Sequence, residues 1–171
     1  CRDIERDSPS LDERLEAMRI CQEAGYTVRA GFSPIVPIAN WREETTDMLE
    51  RLFATVRPEV LRCWVLSMME PYEFEAMFDL AKMDPWAVRR MQEDAEQMAG
   101  KHDAPFPVDV RAEIYRYYLD ECRRISPETP VALCTEQPEI WDILEDETLM
   151  SRTNMFCCCG GLSVPGGWKE R

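Results

Sequence analysis

Ala30-Gly31-Phe32-Ser33-Pro34-Ile35-Val36-Pro37-Ile38-Ala39-Asn40-Trp41-Arg42-Glu43-Glu44 is the stretch whose reading decides the fold. A short apolar strand runs into a turn studded with prolines, and a helix opens directly behind it. Pro34 and Pro37 carry no N–H and hold φ near −65°, so regular pairing is expected to stop near Ser33. Asn40 is placed to cap the helix, with Glu43 as the acid of a capping box. A stiff loop at the carboxyl end of a buried strand is where α/β proteins put ligands.

Upstream, Ser10 and Glu13 form a second capping box, and Leu11, Leu15, Met18 and Cys21 recur at helical spacing. Gly25 closes that helix as a residue free to take positive φ. Residues 26–32 then alternate, with Val28, Ala30 and Phe32 on one side. Arg29 falls on the other, which in a barrel is the interior. Downstream, Leu49, Leu52 and Val56 share a helix that Pro58 ends, and residues 60–66 read as a strand covered on both faces. Ser67 begins a second loop at a strand's carboxyl end. Pro71 and Pro85, the latter behind Asp84, suit first helical turns. Pro107 leads a long helix to residue 125, with Val110, Ile114, Tyr118 and Leu119 facing inward; Tyr115, Tyr117 and Phe106 read as its packing. Residues 131–134 make a short strand, Pro138 starts a helix, and residues 155–159 make a last strand before Gly160-Gly161.

Strand and helix in regular alternation predict a parallel sheet with right-handed crossovers. Four strands do not close a barrel of the usual kind. The expectation is therefore an α/β fold: a small open sheet, or a partial (β/α) barrel of parallel strands with outer helices. Residues 1–161 would form that domain and residues 162–171 a carboxyl-terminal tail.

The chain of 171 residues, 45% hydrophobic and 31% charged, is long enough for one good core. A net charge of −13 with no basic run disfavours nucleic acid and anionic membrane surfaces as partners. No apolar run reaches the roughly 20 residues of a membrane span, no signal peptide is visible, and the expected location is the cytoplasm. Eight cysteines in no spaced framework fit buried thiols in a reducing compartment, with Cys21, Cys63, Cys122 and Cys134 as core residues. His102 is the single histidine and excludes a multi-histidine metal site. The amino end, Cys1-Arg2-Asp3, reads as that of a fragment.

The succession Ser8-Pro9-Ser10-Leu11-Asp12-Glu13-Arg14-Leu15, Glu23-Ala24-Gly25-Tyr26, Ser33-Pro34-Ile35 and Trp41-Arg42-Glu43-Glu44 resembles the later half of the radical S-adenosylmethionine (SAM) domain in spore photoproduct lyase and its relatives. The likeness covers residues 5–45. It implies the carboxyl-terminal part of a TIM-like (β/α)6 barrel, in which a CxxxCxxC triad near the first strand holds a [4Fe–4S] cluster. That cluster and SAM generate a 5′-deoxyadenosyl radical that abstracts hydrogen from substrate, as in lyase-type DNA photoproduct repair; here the substrate is unknown. This sequence contains no CxxxCxxC, so the resemblance puts the cluster ligands upstream of Cys1. By position, Ser33, Pro34 and Ile35 would lie beside the adenosine of SAM, and Ser67 would join them on the same rim. Cys157 and Cys159, at the end of the last strand, are the candidate catalytic thiols, donating hydrogen close to a substrate radical. Buried structural thiols and metal ligation, with Cys134 assisting, stand beside that reading. The rival to the enzyme reading is a non-enzymatic α/β binding or oligomerisation domain with structural cysteines.

Overall fold

The computed structural model describes residues 7–148, with side chains to residue 144. The chain opens on α1 (Leu11–Glu23), whose capping box forms as expected: Ser10 Oγ accepts from Glu13 N at 3.3 Å, and Glu13 Oε2 accepts from Ser10 N at 2.8 Å. Gly25 takes φ +90 and turns the chain toward the sheet. β1 (Ala30–Ile35) leads into α2 (Trp41–Thr55), and β2 (Leu61–Val65) follows. An excursion of short helices comes next: α3 (Pro71–Met77), a 3-10 turn (Leu80–Lys82), α4 (Pro85–Glu93) and α5 (Ala95–Met98). The long α6 (Val108–Ile125), β3 (Val131–Leu133) and α7 (Pro138–Thr148) complete the described fold. Pro71 and Pro85 sit in first turns, and Val110, Ile114, Tyr118 and Leu119 face the core as the periodicity predicts.

The described strands form one parallel sheet in the order β1-β2-β3, each strand beside its successor in sequence. The long helices form one layer, α1 on α2, α2 on α6 and α6 on α7, with α6 against β2 and α7 against β3. Leu61, Cys63 and Val65 of β2 point into that layer with Ala30, Phe32, Val131 and Leu133, and Phe32 meets Tyr118 of α6 with ring centroids 5.6 Å apart. The other face carries Gly31, Ser33, Arg62, Trp64, Ala132 and Cys134.

Three expectations need correction. The first strand runs 30–35, not 26–32: Tyr26 and Thr27 are exposed, and pairing passes Pro34 across a register shift between Phe32 and Ile35. The missing proline N–H falls at that irregularity, so no ladder bond is lost. Among the described residues the helix packed on β2 is α6, while Arg62 and Trp64, on the other face, are half-buried between buried neighbours. Arg29 precedes the strand and pairs with Glu59 at 2.8 Å instead of entering a barrel interior. Asn40, at φ −112 and ψ 31, is not extended enough to fold its side chain over the first turn; it donates to Glu44 at 3.1 Å, and no box with Glu43 forms. The strand expected at 155–159, the tail at 162–171 and the fragment boundary lie outside the described residues.

The excursion is laced to the loop after β1. Ile38 and Met83 form an antiparallel bridge, Asp84 N donates to Pro37 O and Ala39 N donates to Lys82 O, both at 2.9 Å. Asp84 is the hub. One oxygen accepts from Trp86 N (2.9 Å) and Ala87 N (3.1 Å) and caps α4; the other accepts from Trp41 Nε1 at 3.0 Å, with the Arg42 guanidinium 3.6 Å away. Arg42 in turn lies over the Trp41 ring, 4.2 Å from its centroid. Asp84→Ala removes a cap and strands a buried indole N–H, so it lowers unfolding free energy by about 2–4 kcal/mol. Asp84→Asn, which keeps the capping oxygen, costs less than half of that. Urea unfolding checks both; an alanine variant within about 0.5 kcal/mol of the parent contradicts the clamp.

Candidate functional site

Three strand ends converge on one rim. Leu66 N donates to Ile35 O at 2.9 Å and Cys134 N donates to Cys63 O at 2.8 Å, so the segments after β1, β2 and β3 adjoin. Ser33 is half-buried and Pro34 exposed. Ser67 is buried, its Oγ accepting from Trp64 Nε1 at 2.8 Å, which leaves the hydroxyl proton to donate. The side chain of Ile35 belongs to the hydrophobic core and offers a ligand only its backbone. Ser33, Pro34 and Ser67 are therefore brought to one rim, while Ile35 lines it from below. Cys157 and Cys159 lie outside the described residues.

Two non-glycine residues on this rim adopt the left-handed region: Met68, at φ 60 after β2, and Thr135, at φ 57 after β3. Such a backbone costs about 1–2 kcal/mol at each position and persists only where its surroundings impose it. At Met68 the constraint is the loop 99–106: Met68 N donates to His102 O at 3.0 Å and Met69 N to Ala104 O at 3.3 Å. At Thr135 it is a buried polar network one residue further on. Tyr115 of α6 accepts from Val65 N at 2.9 Å and donates to Glu136 Oε1 at 2.6 Å. Arg111, fully buried one turn earlier, bonds Glu136 Oε2 (3.3 Å), Asp103 Oδ2 (2.8 Å) and the carbonyl of Phe106 (2.7 Å). A buried cation held between two carboxylates and a carbonyl serves the fold rather than chemistry. The network fastens β2, the loop 99–106 and the post-β3 loop to α6, and it positions the rim without lining it.

Sequence reasoning missed this network. The signal was present: Arg111 falls in the inward series 111, 115, 118 and 122, where an arginine needs buried partners. Among the cysteines, Cys63 and Cys122 are buried as expected and Cys134 is half-buried, whereas Cys21 is exposed on α1, on the flank of its apolar face. Burial pushes the Cys122 thiol up to about 12 and keeps it protonated and inert. No group of three or more His, Cys, Asp or Glu side chains among the described residues could hold a metal ion. No helix among them is long and apolar enough to cross a membrane.

Two clefts, of about 200 and 390 Å³, open at the opposite end of the sheet, sharing Phe53, Arg57, Ser126 and Glu128. Their charges are largely spent on one another: Glu59 on Arg29, Arg124 on Glu50 and Glu121, Glu128 on Ser126. They face the amino ends of the strands, where parallel sheets seldom bind ligands, and the rim is the better candidate. No family model, curated protein or solved structure matches the chain.

Burial first, and then the Glu136 charge, raise the pKa of Tyr115 well above the ordinary value of 10.0. Its stabilising contribution is complete below that ordinary value. As pH rises beyond it the unfolded chain ionises and the folded one does not, so stability falls. Tyr115→Phe leaves Val65 N–H and Glu136 short of a partner, lowers stability at neutral pH by about 1–3 kcal/mol and flattens the alkaline decline. Thermal unfolding of both proteins between pH 7 and pH 11 checks this; parallel curves with no offset contradict it.

Proposed function

We propose that this chain is the carboxyl-terminal part of a cytoplasmic radical SAM enzyme of the spore-photoproduct-lyase-like group, acting on a substrate still to be identified. The observation that carries the reading is the sheet itself: parallel strands in sequential order, all their long helices in one layer, and their carboxyl ends gathered on one rim. This arrangement supports reading the sheet as an arc of a (β/α) barrel. β1 has no strand on its outer edge among the described residues, which leaves room for the barrel's preceding strands.

The donor set suits a nucleoside. Ser33 and Ser67 offer hydroxyls and Pro34 a rigid apolar surface, and Trp64 supplies an aromatic ring on the same sheet face. These residues would hold the adenosine end of SAM and exclude water from it, with Met68 and Thr135 keeping the loops in place. The described residues supply no ligand set for the [4Fe–4S] cluster, so no step is assigned through them. When bound with a reduced cluster, SAM supplies hydrogen-atom abstraction. A second reading, a non-enzymatic oligomerisation module, draws on the same open edge of β1, which could pair with another chain.

Protein from the complete reading frame, reconstituted anaerobically with iron and sulfide, should bind SAM and release 5′-deoxyadenosine on reduction. Ser33→Ala and Ser67→Ala should each weaken SAM binding about three- to tenfold. Absence of SAM binding, with no CxxxCxxC in that frame, overturns the enzyme reading; a concentration-dependent dimer in that case supports the module.

A further inference from the structure

Met68 follows Ser67 on the loop after β2, which is the middle strand of the described sheet. Its backbone is left-handed, at φ 60, a region that glycine and asparagine enter at lower cost than methionine. Two hydrogen bonds hold the loop there, Met68 N to His102 O and Met69 N to Ala104 O. Both are made by the main chain, so neither depends on the side chain at 68. That side chain is 54% exposed and is not among the residues packed against the core, whereas its neighbour Met69 is. Of the large hydrophobic residues exposed in the described chain, it alone occupies left-handed backbone. An exposed methionine by itself is ordinary. One that the core does not use, kept in strained backbone between the carboxyl ends of β1 and β3, is not.

We infer that Met68 is a ligand-contacting residue, whose thioether packs on the purine face when SAM occupies the rim. The inference rests on the proposed cofactor reading and adds to it a contact that serves affinity and not the fold. Methionine suits that contact, because its stem is unbranched and its polarisable sulfur packs favourably on aromatic rings. The hydroxyls of Ser33 and Ser67 can orient a nucleoside but give it little apolar surface. Met68 supplies that surface from the middle strand, and the purine is the one flat apolar group that SAM offers in return.

The test uses protein from the complete reading frame, reconstituted as above, and compares equilibrium dialysis of SAM with urea unfolding. Met68→Asn and Met68→Gly relax the backbone and remove the thioether. Their unfolding midpoints should equal or exceed the parent's, while SAM binds about fivefold or more weakly. Met68→Leu keeps an apolar side chain of similar volume and should bind SAM within about twofold of the parent. Undiminished SAM binding by the asparagine and glycine variants overturns the contact. A midpoint that falls together with affinity also overturns it, because Met68 then serves the fold. A parent that binds no SAM overturns the cofactor reading itself, and this inference with it.

Discussion

A parallel strand can be followed by a parallel neighbour only if the chain first returns along the sheet, and each return here is made by helical segments of the same layer. With strands in sequential order, every crossover of the same hand lands on the same face. That constraint organises the molecule. One face of the sheet receives α2, α6 and α7 and becomes the core; the other receives none of them and keeps a glycine, a serine, an arginine and a tryptophan. The strand alternation of β2, buried at 61, 63 and 65 and half-buried at 62 and 64, is the direct record of that asymmetry.

The rim depends on its loops, and two devices hold them. Asp84 joins the loop after β1 to the excursion by capping α4 while accepting the Trp41 indole proton. Arg111, Tyr115 and Glu136 tie the loops after β2 and β3 to α6. Both devices are buried and each joins several segments, which is how left-handed backbone at Met68 and Thr135 can be maintained on an otherwise ordinary scaffold. The candidate rim is thus separated from the groups that keep it in shape.

Much of the scaffold was legible from residue spacing. The helix around Leu11 and Leu15, the proline-led starts at 71 and 85, and the inward series on the long helix follow from periodicity and capping chemistry, which are local. What failed was non-local. Asn40 looked like a cap, but the bridge between Ile38 and Met83 sets the entry angle of α2. The candidate rim was half visible: Ser33, Pro34 and Ser67 could be placed by topology, whereas the core orientation of Ile35 required the register shift at Pro34. Arg111 and Glu136 are 25 residues apart, and only the fold brings them together.

The central claim is that ligand binding belongs to the carboxyl ends of the strands and not to the clefts at their amino ends. Hydrogen exchange on protein from the complete reading frame, with and without SAM, separates the two directly. The account predicts slowed exchange in the segments 33–38, 66–70 and 134–137 on addition of SAM, with 57–60 and 124–129 unchanged. Protection confined to 57–60 and 124–129 would contradict it.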